Sequence, residues 1–413
     1  MKIFTQTTRI IALSGFFLLG ALFTATAQTF EYKDSGTDFI LFDMSIPPGQ
    51  NTVAYAAGAE FTANSDGVII KTEDAGETWE TIYPVTGTSP GFEKIEFIND
   101  NKGFAVGYSA FKTEDAGETW VEITIANDVS RYASLAFFNE NVGIATAFVS
   151  SGAGFEVYVT NDGGDTWNTT SSIDNIGSIS LDYANETTLF SIGNNQIISK
   201  STDGGDTWEV VRTGTPQFFN VEVAFKDLNN GVVSGEDGQL LTTHDSGETW
   251  DEFSTGYHNF YGLAYVGDQL LAAGTDEDVY ISEDNGSNWE LLHDGDGLAT
   301  MYEIQFFEDG SGLICGSQGT MLRFEDVILN TNTPDTPEGI AHFYSPSTKE
   351  LTIASKNNTI ENVTIYSLTG QLVKEVTNTS NTAIVNTSSL ANGTYIAAVS
   401  VNGTAKTIKF IKH

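Results

Sequence analysis

The chain has 413 residues, of which 18 are Lys or Arg and 55 are Asp or Glu, and it has a single cysteine, Cys315. One cysteine excludes an intrachain disulfide framework and a cysteine-based zinc site. The acidic excess excludes a groove that follows nucleic-acid phosphates, and a hydrophobic content of 40% predicts a large packed core. The sequence therefore predicts a folded protein with an anionic surface that does not bind nucleic acid.

The N-terminal segment has the pattern of a secretory signal peptide. Two basic residues precede an apolar run from Ile10 to Phe23, and a small-x-small cleavage pattern, Ala-Thr-Ala, follows at 25–27. The alternative, a transmembrane anchor, is disfavoured because the run is short and a Ser-Gly pair interrupts it. We predict a signal peptide over residues 1–27, export through the periplasm and no transmembrane segment in the mature chain.

Charge and composition divide the remaining chain in two. Residues 331–413 hold six basic and five acidic residues, whereas residues 28–330 hold ten basic and fifty acidic residues. Residues 330–339 are polar and include two prolines, which is typical of a linker. The predicted domains are residues 28–329 and residues 340–413, joined by a linker over residues 330–339.

An eight-residue box recurs six times in the acidic domain, first as Thr-Glu-Asp-Ala-Gly-Glu-Thr-Trp at 72–79. It contains all six tryptophans, and successive tryptophans are 41, 47, 41, 42 and 39 residues apart. That period is typical of four-stranded propeller blades. The Asp and Trp residues of the boxes are Asp74, Trp79, Asp115, Trp120, Asp162, Trp167, Asp203, Trp208, Asp245, Trp250, Asp284 and Trp289.

Short apolar strands bounded by glycine lie between the boxes and predict an all-β domain. The seventh period supplies three strands, up to Phe324, but no box follows it. The missing outer strand is predicted at the N-terminus, because residues 30–37 align with the strands that follow Trp208 and Trp289. We therefore predict a seven-bladed β-propeller closed by the N-terminal strand, which leaves no long sheet edge at a ring opening.

Two interpretations of the boxes are open. In the structural one, the Asp accepts backbone N–H groups, the glycine adopts positive φ and the Trp supplies apolar surface to the next strand. In the functional one, the aspartates are calcium ligands or catalytic acids. Six near-identical copies favour one structural role repeated in each blade.

At these residues the chain resembles the BNR or Asp-box propellers, whose pattern is Ser/Thr-x-Asp-x-Gly-x-Thr-Trp, over roughly residues 29–326. The resemblance implies the fold. It leaves the function open among sialidases, xyloglucan-cleaving hydrolases, sortilin-like receptors and photosystem II assembly-factor-like proteins.

The tail resembles the C-terminal sorting domain of type IX secretion. The resemblance rests on Val363–Val373, on Ser388–Ile396 and on a basic end, Lys406–Lys412, although residues 343–346 depart from the family's usual opening motif. It implies the type IX machinery as a partner and delivery to the outer cell surface or medium, with the tail removed. By themselves, the alternating strands and glycine turns predict a small C-terminal β-sandwich, for which an adhesive role is the alternative.

Catalytic chemistry has little support outside the boxes. By family resemblance, a sialidase needs an arginine triad, but the mature chain has only Arg131, Arg212 and Arg323, of which only Arg131 precedes an inner strand. Other glycoside hydrolysis needs two carboxylates at a defined separation, which fifty acids make possible but do not identify. A secreted glycoside hydrolase with a carboxylate pair on the propeller face therefore stays as the alternative function.

Metal and cofactor sites are not predicted. The five histidines are scattered, and the acidic stretches at 276–278 and 294–297 do not complete a calcium-loop spacing.

The face opposite the boxes is the predicted binding face, because the loops that enter the inner strands lie there. Aromatic residues with few charges are typical of interfaces and sugar platforms, and we expect about half of this set to pack between blades instead. We predict a non-catalytic binding module for an unknown protein or glycan. The candidate ligand-binding residues are Arg131, Tyr132, Phe218, Phe219, Tyr257, His258, Tyr261 and Tyr302, with Phe92 and Phe260 beside them.

Overall fold

The computed structural model describes residues 30–60, 66–84, 91–149, 155–173, 178–214, 220–254, 258–295, 297–325, 340–345, 349–355, 359–367, 371–390, 393–401 and 404–412. The predicted signal peptide and linker lie outside these residues, as do Phe218, Phe219 and Tyr257.

Twenty-eight strands precede residue 325 in the described part of the chain. Most are four to six residues long, as the glycine-bounded apolar runs predict. In chain order they are β1 Phe30–Asp34, β2 Ile40–Ser45, β3 Ala54–Ala59, β4 Gly67–Thr72, β5 Glu80–Pro84, β6 Phe92–Phe97, β7 Gly103–Gly107, β8 Ala110–Thr113, β9 Val121–Ile123, β10 Val129–Phe137, β11 Gly143–Val149, β12 Phe155–Thr160, β13 Asn168–Ile173, β14 Ser178–Tyr183, β15 Leu189–Gly193, β16 Ile198–Ser201, β17 Glu209–Arg212, β18 Asn220–Phe225, β19 Gly231–Gly235, β20 Gln239–Thr243, β21 Asp251–Ser254, β22 Phe260–Val266, β23 Gln269–Gly274, β24 Val279–Ser282, β25 Glu290–His293, β26 Met301–Phe306, β27 Gly312–Gly316 and β28 Thr320–Phe324. Short 3-10 turns lie at Glu236–Gly238, Thr275–Glu277 and Ser317–Gly319.

These strands form seven four-stranded antiparallel sheets. Blades 1 to 6 each take four consecutive strands, β2–β5 through β22–β25, and blade 7 has the order β1-β28-β27-β26. In blade 7, β1 pairs with β28, with Phe30 opposite Phe324. The first strand of each blade contacts the first strand of the next, and β2 also contacts β26. The inner strands therefore surround a central channel, and the all-β propeller fold is confirmed.

Aromatic side chains fill the space between neighbouring blades. Tyr55 of β3 stacks on Phe97 of β6 with ring centroids 3.6 Å apart, and Trp120 meets Phe97 edge-on at 5.9 Å. Between blades 4 and 5, Phe190 stacks on Phe225 with centroids 4.1 Å apart. The repeated sequence thus gives each pair of blades its own apolar core.

The C-terminal region is also all-β. A three-stranded sheet has the order β29-β30-β33, and a four-stranded sheet has the order β32-β31-β34-β35. Leu351 of the first sheet and Val363 and Ala397 of the second belong to one buried cluster, as in a small β-sandwich. The strands are β29 Ile340–Ser345, β30 Glu350–Ser355, β31 Ile360–Ser367, β32 Leu372–Ser380, β33 Thr382–Asn386, β34 Gly393–Val401 and β35 Thr404–Lys412.

Within the described ranges, no helix combines the length and apolar character needed to cross a membrane.

Candidate functional site

Each box closes a turn by the same hydrogen bonds. In the first box, the Thr72 hydroxyl donates to Asp74 Oδ1 at 2.8 Å and accepts from the backbone N–H of Gly76 at 2.9 Å. Asp74 Oδ1 also accepts the N–H of Thr78 at 2.8 Å, and Oδ2 accepts its hydroxyl at 2.6 Å. The other five boxes repeat the pattern, with Asn288 in place of the last Thr in the sixth.

These donors hold the box carboxylates ionised. The Thr166 hydroxyl and then its backbone N–H lower the pKa of Asp162 to about 2. The pKa of Asp74 is lowered in the same way by Thr78. Carboxylates whose two oxygens both accept hydrogen bonds within the turn, and whose pKa values are lowered, suit turn bracing rather than general acid catalysis.

The opposite face is shaped by a β-bulge near the start of every inner strand. In blade 1 the register shifts between Leu41 and Asp43, and in blade 7 it shifts between Met301 and Glu303. Equivalent shifts occur in the five other inner strands. A bulge redirects side chains, and it gives Phe42, Tyr261 and Tyr302 equivalent positions in three adjacent blades.

Those three aromatic residues form a contiguous group that we call the aromatic arc. The ring centroids of Phe42 and Tyr302 are 5.4 Å apart, and those of Tyr261 and Tyr302 are 5.3 Å apart. All three side chains are half-buried. Burial, and then the neighbouring Tyr261, raise the pKa of Tyr302, so its hydroxyl is neutral at physiological pH. The arc thus offers aromatic surface and the neutral hydroxyl group of Tyr302.

An ion pair occupies the bulge region of blades 2 and 3. Arg131 Nη1 lies 3.1 Å from Glu93 Oε1, and the Arg131 side chain is 43% exposed. Burial raises the pKa of Glu93, although Arg131 opposes this effect. The pair therefore places charged groups at the channel mouth in blades 2 and 3, whereas blades 6, 7 and 1 place aromatic residues there.

Further along the inner strands, a cavity of about 490 Å³ lies in the central channel and is lined by all seven blades. The only basic side chain among its lining residues in the described chain is Lys94. We call the acidic lining residues the carboxylate ring: they are Asp43, Glu96, Asp182, Glu222 and Glu303.

Three members of the carboxylate ring bind the backbone of the next blade. Asp43 Oδ2 accepts the N–H of Ile95 at 2.6 Å, which joins blades 1 and 2. Glu96 accepts from Phe137 at 3.0 Å, and Asp182 accepts from Phe225 at 2.7 Å. These hydrogen bonds join blades 2 and 3 and blades 4 and 5, so the ring has a structural role in addition to any role in binding.

The ring has one internal cation for five acids. Lys94 Nζ lies 3.4 Å from Asp43 Oδ1 and 3.4 Å from Glu222 Oε2. Burial raises the pKa of Glu96 to about 8 and that of Asp182 to about 7, because removal from water penalises the charged carboxylate. Burial also raises the pKa values of Asp43 and Glu303. The ring therefore shares protons near neutral pH.

The structure brings together only part of the predicted binding set. Tyr261 and Tyr302 meet in the aromatic arc, whereas Arg131 lies two residues before the position in blade 3 that is equivalent to theirs and pairs with Glu93. Separately, His258 Nδ1 lies 3.3 Å from Asp276 Oδ2 and 3.5 Å from Asp278 Oδ2.

Three other predicted aromatic residues are interior residues. Tyr132 is buried between blades 2 and 3, and its hydroxyl oxygen accepts the N–H of Ala126 at 3.3 Å. Phe92 and Phe260 are fully buried. Alternation along the strand turns these three side chains into the blade interfaces, where they do not reach a ligand.

The sequence interpretation missed Phe42 and the carboxylate ring. A signal was present, because Asp43, Lys94 and Glu303 each follow the bulge at the same position of the repeat, and Glu222 occupies that position of the sequence in blade 5. Alignment of the inner strands by repeat would have placed them in one layer. Within the described residues, no group of three or more His, Cys, Asp or Glu side chains is arranged to hold a metal ion.

Two segments match known families. Residues 343–413 match the secretion system C-terminal sorting domain, and residues 251–325, from β21 to the end of blade 7, match the photosynthesis system II assembly factor YCF48. Both resemblances drawn from the sequence are thereby confirmed. The sorting-domain match indicates type IX secretion to the cell surface or medium. No curated protein sequence matches the chain.

Solved structures share the propeller fold. YCF48 bound to D1 peptide is 21% identical with a TM-score of 0.58, and the alignment covers 71% of this chain and 96% of that one. YCF48 from Cyanidioschyzon merolae is 20% identical with a TM-score of 0.57, covering 72% and 98%. The WD40 β-propeller domain of Doa1 is 12% identical with a TM-score of 0.56, covering 72% and 97%. The chain thus has two parts: a β-propeller that shares the fold of YCF48, and a secretion-system C-terminal sorting domain.

Proposed function

We propose that this protein is an exported, non-catalytic binding module whose ligand contacts the aromatic arc at the channel mouth. The observation that carries the proposal is the mutual contact of Phe42, Tyr302 and Tyr261 at half-buried positions. Aromatic side chains provide large contact areas at low entropic cost, and they predominate at binding hot spots. Their position on strands of the ring makes the arc a rigid surface, which reduces the cost of ordering on binding.

The ligand class is a protein segment or a glycan. Either would use the aromatic faces and the tyrosine hydroxyl groups. A protein of the same fold, YCF48, is bound to a peptide, which supports testing peptide segments before sugars.

The test is a screen of the mature protein against peptide and glycan arrays. We expect a binder whose affinity falls about tenfold in Tyr302→Ala, the loss of 1 to 2 kcal/mol typical of an aromatic hot spot. Tyr108→Ala is the matched control, because Tyr108 lies in a hairpin turn of blade 2 and is 54% exposed. Absence of any binder, or equal losses in the two variants, would contradict the proposal.

A glycoside hydrolase remains the second candidate, and one observation favours it. Glu96 and Asp182 line one cavity with pKa values raised to about 8 and about 7, which is the property of a general acid. Their hydrogen bonds to the next blade argue for the structural role instead. Release of reducing sugar by the mature protein, abolished in Asp182→Asn, would establish the hydrolase.

The export route completes the proposal. A signal peptide over residues 1–27 takes the chain to the periplasm, and the sorting domain takes it across the outer membrane and is then removed. We expect a reporter fused to residues 340–413 to reach the surface or medium of a type IX-competent host. A reporter retained in the periplasm would count against this route.

A further inference from the structure

The aromatic arc and the carboxylate ring are neighbouring layers of the same channel. Phe42 directly precedes Asp43, and Tyr302 directly precedes Glu303. Both acids line the cavity, whose volume of about 490 Å³ has room for a Lys or Arg side chain. A ligand group that passes the aromatic layer therefore meets carboxyl groups next.

The charges in that second layer are unequal. Lys94 contacts Asp43 and Glu222, whereas Glu303 accepts a hydrogen bond from the neutral Gln305 amide at 3.0 Å. Glu96 and Asp182 accept from backbone N–H groups, and they lie two residues further along their strands than the position that Asp43 and Glu303 occupy. One ammonium group thus lies among five carboxyl groups along the channel, and the carboxylate ring is complementary to a second cation.

The aromatic arc also suits a cation. The faces of tyrosine and phenylalanine rings attract ammonium and guanidinium groups, and more strongly when these are partly removed from water. Arg131 is the cation at the mouth, and it is already paired with Glu93. The aromatic layer and the carboxylate layer are independent features that select the same chemical group.

We propose that the ligand is a protein segment that passes a Lys or Arg side chain through the aromatic arc into the carboxylate ring. The inference rests on the binding role proposed above and specifies the ligand. The aliphatic stem of the side chain contacts the arc, and its charged end replaces protons held by the ring.

Binding is therefore linked to pH. Glu96 and Asp182, with pKa values raised to about 8 and about 7, are largely protonated at pH 6. A Lys or Arg side chain stays charged across this range, so its entry lowers the carboxyl pKa values and releases protons. The other titratable groups near the ring are Tyr183, Tyr265 and Cys315, which have raised pKa values and stay neutral.

The experiment uses the mature protein and capped glycine–serine peptides that differ only at the central residue: arginine, lysine, citrulline or norleucine. Citrulline matches arginine in shape but is neutral. We expect the arginine peptide to bind about tenfold more tightly than the citrulline peptide, since a charged hydrogen-bonding group adds about 1.5 kcal/mol or more. Calorimetry should show its affinity rising about tenfold from pH 6 to pH 8, with release of about half a proton on average over that range.

Paired variants separate the ring from the general negative charge of the surface. Glu96→Gln with Asp182→Asn removes two ring acids but keeps their acceptor oxygens, and it should abolish the arginine preference. Glu118→Gln with Glu248→Gln makes the same charge change at exposed box positions and should preserve it.

The outcomes distinguish the two proposals. Equal binding of arginine and citrulline peptides, or binding of glycans alone, overturns the cationic-ligand inference but leaves the arc as the binding surface. Failure of every peptide and glycan to bind overturns both. The citrulline and pH comparisons use the unmodified protein, so they decide the matter even if a ring variant fails to fold.

Discussion

The boxes use a backbone conformation that most residues avoid. Ala75 and Gly76 both have positive φ, at 58° and 85°, and Ala116 and Gly117 repeat the pair. A non-glycine residue in the left-handed region is strained. Hydrogen bonds that the preceding Thr or Ser hydroxyl and the Asp carboxylate accept from the turn backbone offset that strain, which explains why a hydroxyl residue and an aspartate recur together in every box.

Replacement of a box threonine tests how much its hydroxyl group contributes to the stability of the turn. The buried Thr113 hydroxyl accepts the backbone N–H groups of Asp115 at 3.3 Å and Gly117 at 3.0 Å. Thr113→Val keeps the shape but leaves both donors unsatisfied, at a cost of about 1 to 3 kcal/mol. We expect the melting temperature to fall by several degrees, whereas Thr124→Val, at an exposed position, should leave it unchanged.

At the scale of single residues, the hydrogen bonds of the boxes could be predicted from the sequence. Only part of the binding surface could be. The spacing of Thr, Asp and Gly within one turn determines the box hydrogen bonds locally. Phe42 lies within an apolar strand, where alternation alone does not show which residues face the channel. The bulge between Leu41 and Asp43 decides that point, and a bulge depends on pairing with the neighbouring strand.

At the scale of strands, blade 7 differs from the others because its outer strand comes from the opposite end of the chain. Phe30 of β1 takes the position of the box tryptophan, and its ring centroid lies 4.5 Å from that of His293 and 5.4 Å from that of Phe324. On β28, Arg323 Nε donates to Ala75 O of the first box at 2.9 Å. Glu77 of that box pairs with both Arg323 and Lys33.

Loss of β1 should therefore weaken the whole ring. Deletion of residues 29–37 removes the strand pairing, the Phe30 contacts and the ion pair to Glu77, and it exposes β28 as an unpaired edge. We expect the melting temperature to fall by more than about 5 °C, and self-association to appear in sedimentation experiments. Phe30→Ala should give a smaller fall, and Val121→Ala, an exposed residue of β9, should give none. An unchanged melting temperature after the deletion would disprove this role of β1.

At the scale of the molecule, the ring closure creates properties that no single repeat contains. Asp43, Glu96 and Glu222 belong to different blades and are separated by up to 179 positions in the chain. Only the closed ring places them in one cavity, which is why composition and local motifs did not predict their burial. The period of the tryptophans predicted the blades because each blade forms mainly from consecutive residues.

Two sets of carboxyl groups make the stability of the fold depend on pH in opposite directions. The box aspartates have pKa values lowered by hydroxyl and backbone donors, so their contribution is lost as the pH falls below about 4. Glu96 and Asp182 of the carboxylate ring have pKa values raised by burial, so the folded state binds more protons than the unfolded state. Their effect is to reduce stability as the pH rises from the usual carboxyl range to about 8.

We therefore expect maximal thermal stability at mildly acidic pH and a falling melting temperature between pH 5 and pH 8. Glu96→Gln keeps an oxygen that accepts the Phe137 N–H but cannot ionise. It should flatten this slope and melt several degrees above the unmodified protein at pH 8, because no buried charge forms. Glu118→Gln, at an exposed box position, should leave the slope unchanged. A melting temperature that rises steadily from pH 5 to pH 8 would contradict this prediction. It would show that the ring acids are ionised in the folded protein and are stabilised there by Lys94 and water.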